Sequence, residues 1–107
     1  MLKGFEQLLS GVGKFKDAVN KINAKLETQR IEASAGAGLV KVAVNGRQEI
    51  IEVHIDRELI NMKDKKLLED LVKSAINEGI KESMEVSQKV IKEAIDLDMQ
   101  KFKKVKQ

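Results

Sequence analysis

The residues of this chain that come nearest to a catalytic set are its single histidine, His54, and the carboxylates Glu52 and Asp56 beside it. An imidazole near carboxylates is the raw material of general acid–base work. The pattern argues against that use. Residues 50–55 alternate apolar and polar, which places Glu52 and His54 on the polar side of a strand, away from Ile51, Val53 and Ile55. Asp56 stands where the strand gives way to a turn and suits a cap. There is no second histidine and no cysteine to complete a metal site, a thiol nucleophile or a disulfide, and a reducing compartment fits that composition. Gly36-Ala37-Gly38 has the look of a phosphate-cradling loop, yet it leads into a strand and lacks the Lys-Ser/Thr ending that such loops need. No enzyme activity, cofactor, metal or small-molecule substrate is expected.

The lysines point elsewhere. Twenty basic residues exceed 17 acidic ones by three, and the distribution is uneven. Residues 1–27 carry five Lys against three acids, residues 28–62 four basic against five acidic, and residues 63–107 eleven Lys against nine acids. The last seven residues, KFKKVKQ, hold four Lys and no acid. A local basic patch attracts nucleic acid or acidic surfaces, while lysines at a helix C-terminus also complement the helix dipole. The three arginines, Arg30, Arg47 and Arg57, all fall in the central region, so the basic ends lack the residue that most often reads guanine. Aromatic residues are too few for stacking on single strands. What lysine offers is a point charge for phosphate. Duplex binding through the backbone, weak in sequence preference and strong in salt dependence, is the form that DNA binding would take.

Elements must position those lysines. Phe5, Leu8, Val12, Phe15, Val19, Ile22 and Leu26 recur at alternating intervals of three and four, a heptad seam that predicts a helical arm over 1–27 needing a partner helix. Gly11 and Gly13 weaken its first turns. Residues 29–35 alternate as a first strand, residues 40–44 as a second and residues 51–55 as a third. Asn45-Gly46 is the signal for a two-residue hairpin loop, which pairs Val40 with Ile51 and Gly38 with Val53 and leaves Val42 against Glu49. One face of the sheet is apolar, so helices are expected on one side only. After a turn at residues 56–59, with Asn61 or Asp64 as cap, a long helix is expected over 64–100, then a basic tail over 101–107. A helix of that length overhangs a compact domain of this size, whose radius of gyration is about 13 Å. Its distal apolar residues then need cover from the first helix, from a second copy, or from both, and a dimer is expected. Antiparallel helices would bring Lys3, Lys14 and Lys16 towards Lys92, Lys101, Lys103 and Lys104, far from the sheet.

At GAGLVKVAVNG (36–46), EVHIDREL (52–59) and LEDLVKSAINEGIKES (68–83) the chain resembles the YbaB/EbfC family of bacterial nucleoid-associated proteins. The resemblance spans about residues 5 to 95 and rests on the order and spacing of the motifs together. It implies a homodimer shaped like tweezers, with helical arms projecting from a central sheet, and DNA binding of low sequence specificity in the bacterial cytoplasm and nucleoid. Two features depart from the family pattern. Arg57 stands where Ile-Asp-Pro is common, and the chain ends in a lysine-rich segment in place of a Gly/Pro-rich tail.

The expected fold is therefore α+β in a single domain of residues 1–107: an N-terminal helix, a three-stranded antiparallel sheet over 29–55 and a long C-terminal helix. The expected function is nucleoid-associated binding of duplex DNA by a homodimer through phosphate contacts, with influence on gene expression or nucleoid organisation. Lys3, Lys14, Lys16, Lys92, Lys101, Lys103, Lys104 and Lys106 are the candidate contacts. The alternative is an interaction module that docks a partner helix on the exposed seam, its lysines serving solubility. No apolar run approaches the roughly 20 residues of a membrane span, and no signal-peptide pattern opens the chain, so a soluble, intracellular protein is expected.

Overall fold

The structure, a computed structural model, describes the backbone of residues 2–106 and the side chains of residues 4–97, 99 and 100. Six elements follow in order: α1 (Leu2–Thr28), β1 (Ile31–Ala35), β2 (Val40–Val44), β3 (Ile50–Ile55), α2 (Arg57–Asn61) and α3 (Lys65–Lys106). The strands form one antiparallel sheet in the order β1-β2-β3. Alternation sends Ala33, Val40, Val42 and Val44 to one face, where α3 covers them and Ala75 and Leu59 complete the core. Gly79 lets α3 come this close, because a Cβ there would stand 2.7 Å from Val44 Cγ2.

The hairpin differs from the two-residue loop that Asn45-Gly46 announces. Asn45 N–H donates to Glu49 O at 3.0 Å, closing a loop of three residues, 46–48. The left-handed residue is Gln48, at φ 61°, and Gly46 is not among the residues with positive φ. This is a type I turn followed by an αL residue, the usual three-residue hairpin. Glycine at position 46 answers a different demand: a Cβ there would meet Leu26 O at 2.9 Å and Leu26 Cα at 3.1 Å, where the end of α1 crosses the turn.

An odd loop would set the valines of β2 against the polar side of β3. A register shift between Ala43 and Val44 leaves Ile51 unpaired and corrects this. Val40 then faces Ile55 and Val42 faces Val53, in place of the expected pairs with Ile51 and Glu49. Glu49 instead accepts from Asn45 Nδ2 in the turn. The apolar faces coincide as expected, by a bulge in place of a short loop.

Asp56 caps α2 by accepting from Glu58 N–H, and Asp64 caps α3 by accepting from Leu67 N–H. α3 lies over β1 and β2. β3 is left as an edge strand whose apolar side chains are uncovered, Val53 being 46% exposed. The molecule is elongated, 71 Å in its longest dimension with a radius of gyration of 20.9 Å, against about 13 Å for a compact chain of this size. The overhang expected from helix length is present.

Candidate nucleic-acid interface

Both long helices take root at the hairpin tip. Gly46 N–H donates to Leu26 O at 2.8 Å, tying the last turns of α1 to the loop. Ser83 of α3, fully buried, donates its hydroxyl to Asn45 O and accepts from Gln48 Nε2 at 3.1 Å. Outward from Leu26, α1 runs about 36 Å to Leu2; outward from Ser83, α3 runs about 35 Å to Lys106, at about 1.5 Å per residue. Two helical lengths of nearly equal reach thus make one arm. They touch near the root, where Ala18 and Ile22 are half-buried and Val90 is buried.

Lys14, Lys16 and Lys92 lie on this arm and are exposed. At about 1.5 Å per residue from the root, Lys92 sits at about the level of Asp17, one residue along from Lys16. The side chains of Lys3, Lys101, Lys103, Lys104 and Lys106 lie outside the described residues. Two lysines that sequence reasoning left out, Lys21 and Lys25, share a sector with Lys14, since spacings of 7 and 11 residues return to within about 20° on a helix. Lys16, about 160° from Lys14 around the axis, faces another way. None of the exposed lysines of α1 is in an ion pair among the described residues.

The charge of α3 is mixed. Residues 78–98 carry six acids and three lysines, so Lys92 stands among carboxylates. By sequence, the segment beyond residue 100 adds lysines with no acid. The uncompensated positive charge of the arm is therefore concentrated on α1 and at the outer end of α3.

The open face of the sheet carries a cleft of about 500 Å³ lined by Arg30, Glu32, Ser34, Lys41, Glu52 and His54 among others. Arg30 donates to Glu52 at 2.8 Å and to Glu32 at 3.1 Å. Its guanidinium holds the Glu52 carboxyl below the usual carboxylate range. The two carboxylates consume the one arginine of this face, which leaves no strong excess of either charge. His54 is exposed on the side away from the core, as its alternation implies.

The model of the YbaB/EbfC DNA-binding family matches residues 2–99. The chain belongs to this family. Among its relatives, a nucleoid-associated protein of Syntrophobacter fumaroxidans is 37% identical over 87 residues, 81% of this chain and 78% of the relative. The nucleoid-associated protein THEYE_A1069 of Thermodesulfovibrio yellowstonii is 37% identical over 86 residues, 80% of this chain and 75% of the relative. Among solved structures, uncharacterized protein HP0035 from Helicobacter pylori superposes with a TM-score of 0.73 at 25% identity, covering 85% of this chain and 96% of that one. The α+β fold read from the sequence is the fold of this YbaB/EbfC chain. Among the described residues, no helix is long and apolar enough to cross a membrane.

Proposed function

We propose that this YbaB/EbfC chain binds duplex DNA as a homodimer, through lysine contacts to backbone phosphates and with little sequence preference, in the bacterial cytoplasm and nucleoid. Its consequence would be on nucleoid organisation or gene expression, without catalysis. The observation that carries the reading is the two-helix arm, about 35 Å long, whose uncompensated charge is lysine and not arginine. Lys3, Lys14, Lys16, Lys101, Lys103, Lys104 and Lys106 are the proposed contacts, with Lys21 and Lys25 added on α1. Lys92 contributes least because of its acidic surroundings.

The dimer is supported by β3. Its apolar side chains, Ile50, Val53 and the bulged Ile51, stay exposed because α3 covers only the other two strands. An edge strand with an apolar face is a ready template for association. A two-fold axis running along the strands would seat two such faces together and leave both arms on the same end, giving the tweezers shape.

Gel shifts across a salt series, on several unrelated duplex sequences, test the DNA reading. Affinity should fall steeply with salt, with a log–log slope of about 0.9 per phosphate contacted. An affinity insensitive to salt, or no shift on any duplex, refutes it. Replacing Lys101, Lys103, Lys104 and Lys106 by Gln should lower both affinity and slope. The second reading, a module that docks a partner helix, is favoured by the exposed seam of α1 and requires that neither quantity change. Light scattering that gives a monomer mass at micromolar concentration refutes the dimer.

A further inference from the structure

Asn45-Gly46 is the one place in this chain where asparagine precedes glycine. That pair is open to a reaction within the backbone itself. The nitrogen of the second residue attacks the side-chain carbonyl carbon of the first, and glycine, lacking a Cβ, lets it approach. Asparagine is for this reason a heat-labile residue. The folded turn holds every group that the reaction needs. Gly46 N–H, which must lose its proton, donates to Leu26 O at 2.8 Å. Asn45 Oδ1 accepts from Arg47 N–H at 2.9 Å and from Glu49 N–H at 3.2 Å. Asn45 Nδ2, the leaving group, donates to Glu49 Oε1 at 3.0 Å. The backbone oxygen of Asn45 accepts from Ser83 Oγ, and the residue is buried. An amide nitrogen whose proton is held by a helix carbonyl is a poor nucleophile. A side chain fixed at both its polar atoms does not turn to meet it.

We infer that Asn45 is a site of self-modification, converted to aspartate and isoaspartate when α1 releases Gly46 and kept intact while the root of the arm is closed. Gly46 N yields its proton to water, and its lone pair forms the bond to Asn45 Cγ. The Cγ–Nδ2 bond breaks, and Nδ2 takes up a proton and leaves as ammonia. Water then opens the cyclic imide at either of its carbonyls. The net change is amide and water to acid and ammonia, with nothing oxidised or reduced. Both products damage the root. In aspartate a carboxylate oxygen stands where Nδ2 stood, so the hydrogen bond to Glu49 Oε1 becomes a like-charge contact. In isoaspartate the chain runs through the side-chain carbon, one methylene longer, and the carbonyl that accepts from Ser83 leaves the backbone. The opening that permits the reaction is thus made permanent by it. Two demands of packing put the pair here: Asn45 Oδ1 holds the loop, and Gly46 admits Leu26. Neither DNA nor a second copy is needed for the conversion.

Peptide mass spectrometry and isoaspartyl methyltransferase labelling of the full chain, held at mildly alkaline pH, test this. Asn20, Asn23, Asn61 and Asn77, none followed by glycine, are internal controls. In strong urea Asn45 should convert at least about tenfold faster than in the folded protein, since the closed turn must first open at a cost in free energy. Leu26→Ala loosens the last turns of α1 and removes no hydrogen-bond partner of Asn45. It should convert several-fold faster than wild type while still folded by circular dichroism. If that variant does not fold, wild type in urea below its midpoint serves the same end: conversion at Asn45 and hydrogen exchange at Gly46 N–H should rise together. Equal rates in folded and unfolded wild type, or conversion spread over the control asparagines, overturn the site. A folded Leu26→Ala that converts at the wild-type rate, or conversion that stays flat while Gly46 exchange rises, overturns the gating by α1.

Discussion

Ser83→Ala tests whether the arm of α3 is anchored to the hairpin tip. Ser83 is fully buried and its hydroxyl makes two hydrogen bonds, donating to Asn45 O and accepting from Gln48 Nε2. The substitution removes both, but neither partner is stranded. Asn45 O keeps a long bond from Gln48 N–H at 3.3 Å, and Gln48 Nε2 keeps Gly46 O at 3.0 Å. The loss is therefore that of two ordinary hydrogen bonds, about 0.5–1.5 kcal/mol each, and not the larger penalty of an orphaned buried group. Alanine returns up to about 0.5 kcal/mol through its better helix propensity. The net cost is about 1–2 kcal/mol. With a urea m-value of about 1–3 kcal/mol per molar, the midpoint should fall by about 0.5–1.5 M. Wild type and variant must be compared at one protein concentration, since self-association adds to apparent stability. A Gln48→Ala variant and the double variant complete a cycle, and a coupling of at least about 0.5 kcal/mol is expected for groups in contact. A midpoint equal to or above that of wild type would refute the anchoring, because it would mean that the buried hydroxyl contributes nothing between α3 and the turn.

Gly46→Ala should lower the melting temperature by about 5–15 °C, for an overpacking cost of about 1–3 kcal/mol. Its Cβ meets Leu26 backbone atoms that cannot swing aside, and an unchanged melting temperature would contradict that approach. Gly11→Ala and Gly13→Ala should each stabilise α1 by up to about 1 kcal/mol. Nothing lies within 4 Å of either added methyl, so a loss of helical circular dichroism would show that α1 needs those glycines. The pH dependence of Glu52 has a definite sign. Its carboxyl is held below the ordinary 4.5 by Arg30, so its contribution is present at neutral pH and is lost as pH falls through the lowered value. Glu52→Gln should be slightly less stable than wild type at pH 7 and equal to it in stronger acid. The difference is small because both side chains are more than half exposed. A deficit that persists in acid would point to packing and not charge.

The sheet and both long helices were legible because each rests on periodicity: two in the strands, three and four in α1. The hairpin was not. Asn45-Gly46 carries the strongest short signal for a two-residue loop, yet Gly46 is required by the nearness of Leu26, and Gln48 takes the left-handed place. Contacts from 20 residues away cannot be read from a dipeptide. Ile51 shows the same limit, since a bulge restores the alternation around it and hides from a pattern search. The exposure of β3 was equally hidden, because an alternating strand reads alike whether or not a helix covers it. At the candidate site, the lysines were visible as a composition, while the common sector of Lys14, Lys21 and Lys25 required a helix face to be laid out. The acids around Lys92 were visible too, and they matter only once α3 is known to run unbroken through them.

The position of the turn explains why so small a sheet can direct so long an arm. Leu26 holds Gly46 by a backbone hydrogen bond, and Ser83 holds Asn45 one residue away. Two helices of about 35 Å overhang are thus fixed at adjacent residues of one loop, and any tilt of that loop is shared by both. Fixing each helix to a separate loop would let the two halves of the arm splay independently, and the charge on α1 would not keep a set relation to the lysines ending α3. A common root removes that freedom at the cost of a three-residue loop, whose odd count the bulge at Ile51 then corrects. The loop length, the bulge and the glycine at position 46 are thus one device. What it holds is an arm of two helices, with Lys14, Lys21 and Lys25 in one sector of α1, aimed by the sheet as a single body.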